Sequence, residues 1–373
     1  MKPESIKFNN SLDILFAQEL RDQANAIIHS KSVFYTILKC LNFAKAALLF
    51  LAYWICWYYL AFEQQDIKTS IFLVSAFALL SVVLGFTVGH DAGHGSFVKS
   101  SKLNDVIFWV IYNMIGLSGY IWKQTHNAIH HPYVNMPNLD IDVQENPVFR
   151  LGPHCLHRPH HRWQHFFAPV LYALFFFNKF FFNDFRCFKV IEQKYFKNKK
   201  HESWRFYELI GLKILYVFYM IIIPAIFSEH TFSTVLMTYL IFISSISIFF
   251  AFTLGGSHIS THTKFRKVSA DGSVGVSYYH HQLSSTVDFY PESYLCSIIF
   301  GGLNSHVAHH LFPRLNSVYY PALTKIIKNL AHKHDLPYNS LSITSMWRDH
   351  FLFIRQMGIN SPKGNRQLVE IRK

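Results

Sequence analysis

Three short runs concentrate histidine in this chain: His90 and His94 in HDAGH, His126, His130 and His131 in HNAIHH, and His306, His309 and His310 in HVAHH. Residues i and i+4 of a helix share a face, and i+3 is nearly as close. Each run can therefore turn at least two imidazoles toward one point, with the doubled histidine a neighbour about 100° around. Each run also sits where a helix should stop: Gly95 follows the first, Pro132 the second, and Pro313 lies shortly past the third. Imidazole is a ligand for iron, copper, nickel and zinc. Eight histidines exceed one coordination shell and suit two.

Three familiar metal-binding patterns are missing. No Glu-x-x-His pair of the soluble di-iron bundles occurs, and no H-E-x-x-H zinc motif. The five cysteines are scattered without a C-x-x-C pair, which implies neither a disulfide framework nor a thiolate zinc site. A fourth contribution is expected from GGSHISTHTKF, where His258 and His262 again stand at i and i+4. Gly255 and Gly256 weaken the helical reading there, so His258 is the expected ligand and His262 is left open. The run HCLHRPHHRWQH contains His157, His160 and His161 at the spacing of the third cluster, but its Arg158, Pro159 and Arg162 equally suit a cationic, proline-bent loop. Asp91, Asp140 and Asp142 are placed either to orient ligand imidazoles or to be solvated loop acids. His280 and His281 read as structural or substrate-facing.

The elements that must position these runs are apolar. Of 373 residues 51% are hydrophobic and only 15% charged, well under the roughly 25% of soluble domains. Four stretches, about 43–62, 70–89, 207–227 and 232–254, reach the roughly 20 apolar residues that a spanning helix needs. Short links, EQQDIKT and SEHT, join the first two and the last two, so they pair as two hairpins. Of 35 Lys and Arg only Lys68 falls in those links, and the positive-inside rule then places residues 1–40, 90–206 and 255–373 in the cytosol. Residues 103–117 put Leu103, Val106, Ile107, Val110 and Met114 on one face of an amphipathic helix lying on the membrane, and 168–185 is a second interfacial segment. Six prolines between 132 and 169 argue for an extended loop.

The expected fold class is an all-α integral membrane protein: four transmembrane helices as two hairpins, with a cytosolic helical cap holding the histidine site. It divides into a cytosolic N-terminal segment (1–40), a membrane domain (41–358) and a polar tail (359–373). The net charge of +13 fits a surface facing anionic lipid or a docking face for acidic partners, and no basic stripe with interleaved aromatics suggests nucleic acid.

With these residues in place the chain resembles the membrane-bound fatty acyl desaturases, a family with histidine boxes H-x3-4-H, H-x2-3-HH and H/Q-x2-3-HH. HDAGH, HNAIHH and HVAHH follow that order. GLSGYIWKQTHNAIHHPYVN and GGLNSHVAHHLFPRLNSVYYPALTKII look most like the front-end and linoleoyl-CoA-type enzymes, and the likeness covers roughly residues 40–358. It departs from the front-end pattern at His306, where Gln is usual, and the chain has no H-P-G-G haem motif of a fused cytochrome b5 domain. The resemblance implies an O2-dependent desaturase with two iron ions, held by His90, His94, His126, His130, His131, His258, His306, His309 and His310. It implies an acyl-CoA or lipid-linked fatty acyl substrate and a separate cytochrome b5-like or ferredoxin-like electron donor. The competing expectations are a membrane di-iron hydroxylase or ketolase of fatty acids, sterols or carotenoids, and a non-redox zinc hydrolase or transporter. The last is opposed by spans nearly free of ionisable residues.

Overall fold

The computed structural model describes residues 6–194 and 200–359. The tail from 360 onward, and positions 197–199 of the basic run 197–205, lie outside them. Four helices are long and apolar enough to cross a membrane: α2 (Val33–Phe62), α3 (Ile67–Gly93), α8 (Trp204–Phe227) and α9 (Phe232–His258). Polar residues start several of the helices. Asp66 accepts from the backbone N–H of Lys68 and Thr69 at the start of α3, and Thr231 accepts from Thr234 N–H at the start of α9.

The expected spans differ from these helices at their ends. The first begins at Val33 rather than 43, the second continues through His90 to Gly93, and the fourth runs through both glycines to His258. Glycine in a helix interior costs only about 1 kcal/mol, and here Met346 and Trp347 of the last helix pack beside Gly255 and Gly256. His90 and His258 are therefore helical residues rather than the first residues beyond a span.

Between α3 and α8 lie two sharply bent pairs. Helix α4 (Ser101–Met114) meets α5 (Gly119–Tyr133) at 114°, and α6 (Pro159–Tyr172) meets α7 (Phe175–Gln193) at 80°. Of the apolar face expected on helix α4, Leu103, Val106 and Val110 are exposed together with Trp109, Ile107 is half-buried and Met114 is buried, while buried Asn104 bonds the backbone of Val98. The α4–α5 turn is fixed by polar groups of the long helices. Tyr53 and Tyr219 donate to Met114 O, and the Lys213 ammonium reaches Gly116 O at 2.8 Å and Asp184 at 2.6 Å. These donors satisfy carbonyls that the end of α4 leaves open.

The long helices share one core, in which Phe77 of α3 stacks on Phe242 of α9 at 4.6 Å and packs on Tyr53 of α2 at 4.6 Å. A second core joins α1 (Ile14–Ile28) to later elements: Phe16, Leu20 and Ala24 pack with Val307, Ala308, Leu323 and Ile327. Part of the expected N-terminal segment thus belongs to the histidine-bearing region. That region continues with α10 (Tyr278–Ser284), α11 (Tyr294–Phe300), α12 (His306–Leu311), α13 (Tyr320–Lys333) and α14 (Ile343–Ile359). Two short parallel strands, Asp288–Phe289 and Ser340–Leu341, tie the link between α10 and α11 to the approach to α14.

Candidate metal centre

Each histidine run is delivered by a different piece of backbone. His90 and His94 close α3, where five residues, Gly85–Gly89, widen into a π turn before His90. Gly95 then turns the chain with φ +74°, and Ser96 N–H returns to Asp91 O at 2.8 Å, ending the helix sharply. The second run lies in another π stretch, Lys123–His130. In an α-helix residue i+5 points far from residue i, but the wider turn closed by i→i+5 bonds brings it back beneath. His126 thus has His131 at 3.0 Å (Nε2 to Nε2), with the His130 ring 5.4 Å away. α12 presents His306, His309 and His310, and His258 arrives from the end of α9.

All nine imidazoles converge. Ring nitrogens of His90, His94, His126 and His309 lie within 4.8 Å of one another, and those of His130, His258 and His310 form a second group by the same measure. His131 stands between the groups, its ring 4.5 Å from His309 and 4.4 Å from His310. His306 joins the second, with Nε2 2.9 Å from His258 Nε2. Trp122 walls the first group, stacked on His126 at 4.2 Å and edge-on to His90 and His94.

The hydrogen bonds behind the rings decide what the front nitrogens can do. His258 Nδ1 faces Ser285 O at 3.0 Å and His306 Nδ1 faces Leu303 O at 3.1 Å. A carbonyl only accepts, so both Nδ1 atoms carry the proton, and in the neutral ring Nε2 is a bare lone pair. Gln282 donates to His131 O at 2.8 Å, which leaves its Oε1 to accept from His310 Nδ1 at 3.0 Å. His130 Nδ1 faces Asp140 at 3.2 Å and Asp142 at 3.3 Å. Two lone pairs opposed at 2.9 Å, with the unpartnered His310 Nε2 beside them, repel unless a cation lies between. Nitrogens each about 2.1 Å from one ion stand about 3 Å apart when the angle between them is near 90°, which is the separation seen. The residues fit metal ions.

Burial favours the neutral, ligating form. Desolvation, reinforced by neighbouring rings, holds His131, His309 and His310 well below the ordinary histidine value. At His130 burial again opposes the charge, but the facing carboxylates of Asp140 and Asp142 override it and raise the ring to about 9. An ion bound there displaces that proton.

The fatty acid desaturase family model matches residues 68–342, which holds all nine histidines. The chain belongs to that family. Among its relatives it is 28% identical over 308 residues to an acyl-lipid (8-3)-desaturase of Physcomitrium patens, covering 81% of this chain and 63% of the relative's length. It is 24% identical to an sn-1 linoleoyl-lipid 6-desaturase of a Synechocystis strain (79% of this chain, 82% of the relative). It is 26% identical to a probable Delta(5) fatty acid desaturase C of Dictyostelium discoideum (85% and 71%). The resemblance to front-end desaturases read from the sequence is borne out.

The remaining candidates of this desaturase-family chain sit elsewhere. His262 lies 45% exposed beside Asp349, away from the cluster. In the loop before α6 and its first turn, His157 Nε2 meets Gly358 O at 2.7 Å, His160 Nε2 meets Pro147 O at 2.8 Å, and His161 Nδ1 accepts from Arg158 N–H. These rings bind the loop to itself and to α14. Asp140 and Asp142 orient an imidazole, but Asp91 does not: its carboxylate accepts from Ser317 Oγ at 2.8 Å. His281 is fully buried against Phe8 and outside the cluster, and His280 is partly exposed. Gln282, next to that pair, gave no signal of its own in the sequence. A groove of about 370 Å³ is lined by Lys39, Asn42, Phe43, Ala44, Phe97 and Asn316. Phe97 lies three residues past His94, and Asn316 donates to Ser96 O.

Proposed function

We propose that this chain is an O2-dependent fatty acyl desaturase that removes two hydrogens from an acyl chain, leaving a cis double bond. The observation that carries the reading is the facing pair of bare Nε2 lone pairs on His258 and His306, beside that of His310. Two iron ions fit the donor set: His90, His94, His126 and His309 turn toward one, His130, His258, His306 and His310 toward the other, with His131 between. Bound and reduced, the irons supply the activation of O2 that no side-chain acid or base provides. Two acyl hydrogens, with two electrons and two protons from outside, reduce one O2 to two waters.

The protein's own residues hold this site and keep it dry. Asp140, Gln282 and the carbonyls of Ser285 and Leu303 fix the rings, while Trp122 closes one side against water. The four spans pair as two hairpins, and the cationic remainder of the chain, with the site at the ends of α3 and α9, lies on the cytosolic side. Exposed Arg158 and Arg162 suit an acidic, external electron donor. The relatives' names speak for an acyl chain carried on a lipid. The groove beside Phe97 suits its approach: Phe43 and Phe97 stack at 6.1 Å along it, and Lys39 supplies a cation for a headgroup phosphate.

Expression in a host lacking polyunsaturated lipids tests the activity, with mass analysis of extracted lipid. Loss of two hydrogens supports desaturation, and a gain of one oxygen replaces it with hydroxylation. His130→Ala and His309→Ala should abolish turnover while the protein still inserts in the membrane. Near-normal turnover with unchanged iron in either variant overturns the ligand assignment.

A further inference from the structure

The two halves of the histidine cluster are built differently behind the rings. On one side every Nδ1 has an acceptor: Asp140 for His130, Ser285 O for His258, Leu303 O for His306 and Gln282 for His310. On the other side the Nδ1 atoms of His90 and His309 are buried with no hydrogen-bond partner among the described residues, as is that of His131 between the two groups. An acceptor behind a ligand imidazole fixes its tautomer and orientation and raises its basicity, and removing one typically costs 10–100-fold in metal affinity. An imidazole without one has neither its tautomer nor its orientation fixed by a hydrogen bond.

Charge adds to the difference. The carboxylates of Asp140 and Asp142 both lie within 3.3 Å of His130 Nδ1, on the side with the fixed rings. The first group has instead the neutral Trp122 ring, its centroid 5.6 Å from that of His90 and 5.5 Å from that of His94. Asp91, the nearest acid in its sequence, is turned away to Ser317.

We propose that the two ion positions are unequal: the position faced by His130, His258, His306 and His310 retains its metal, and the position faced by His90, His94, His126 and His309 exchanges it. Gln282 is the positioning residue that links them, since its one side chain fixes the His310 ring and holds the His131 carbonyl. It is fully buried on α10, and its removal acts on the tight position first. This inference rests on the two-metal reading above.

The test is metal release from the purified full-length chain in detergent. The protein is loaded anaerobically with iron(II), dialysed against a chelator, and sampled for iron per chain while thermal unfolding reports the fold. Wild type should lose one iron early and hold the second 10–100 times longer. Gln282→Leu should shorten the slow phase by a similar factor, and Gln282→Glu, which restores an acceptor for His310 Nδ1, should recover much of it. Asp140→Asn, acting through His130, should quicken the same phase independently. Release of both irons at one rate from wild type overturns the proposal while leaving the two-metal reading intact. So does a Gln282→Leu variant, folded as wild type, whose slow phase is unchanged. A folded chain that takes up no iron overturns both.

Discussion

Gly301 sits at the contact between the first and third histidine runs, and its replacement tests how that contact is held. It ends α11 with φ +62°, a left-handed conformation, and its Cα faces the π turn that precedes His90. A Cβ built there would lie 2.3 Å from Phe86 O and 2.7 Å from Thr87 Cα. Both are backbone atoms, so no rotamer change relieves the overlap. Gly95 has a similar φ, +74°, but nothing within 4 Å of its would-be Cβ. Gly95→Ala therefore carries only the left-handed penalty, about 1–2 kcal/mol. Gly301→Ala carries that and a steric cost of about 1–3 kcal/mol, hence roughly 2–5 kcal/mol, a large share of the roughly 5–15 kcal/mol that stabilises a typical domain. Thermal midpoints of both variants, scanned at one rate in one detergent, should order as wild type, Gly95→Ala, Gly301→Ala. Iron content should fall further in Gly301→Ala, because the displaced backbone leads directly into His90 and His306. Equal midpoint shifts, or a milder effect at Gly301, would refute the contact argument.

Two further predictions bear on the surroundings of the site. His350 Nδ1 donates to Ile259 O, next to His258, at 2.8 Å, so its Nε2 accepts from the Tyr172 hydroxyl at 2.7 Å. Burial lowers its pKa from 6.5 to about 4, so the folded state binds fewer protons than the unfolded one between those values. The stability it contributes is fully present above about pH 6.5 and is lost as pH falls toward 4, by about 3 kcal/mol in all. The difference in unfolding midpoint between wild type and His350→Asn should change across that window and stay constant above it. His157→Ala should leave iron per chain unchanged, because its ring binds Gly358 O rather than the cluster. It should lower stability by about 1 kcal/mol, and a loss of iron would return that loop to the ligand set.

Much of the site is legible in sequence because ligation needs particular side chains at helical spacing. The three runs and His258 are found that way, and the four apolar stretches follow from composition, whereas the loop expected over 132–169 ends early, because α6 begins at Pro159 and holds Pro169 within it. What escapes is contributed by backbone and by distant neighbours. Ser285 and Leu303 act through carbonyls, which every residue has. The π turn at Lys123–His130, which brings His131 back beneath His126, has no composition that marks it. Asp91 sits between His90 and His94 in sequence yet bonds Ser317, because helix geometry turns position i+1 off the face that the two histidines share. Gly255 and Gly256 suggested a break where the neighbouring last helix sustains a continuous helix.

His90 and His258 continue two long apolar helices, α3 and α9, which pack against one another. An axial slip of one residue between such rods is about 1.5 Å, and it passes undiminished to the imidazoles at their tips. Such a slip would change the separation of His90 and His258, and with it the spacing of any ions held between the two groups. A catalyst that alters acyl chains in this way is suspended from the material it remodels.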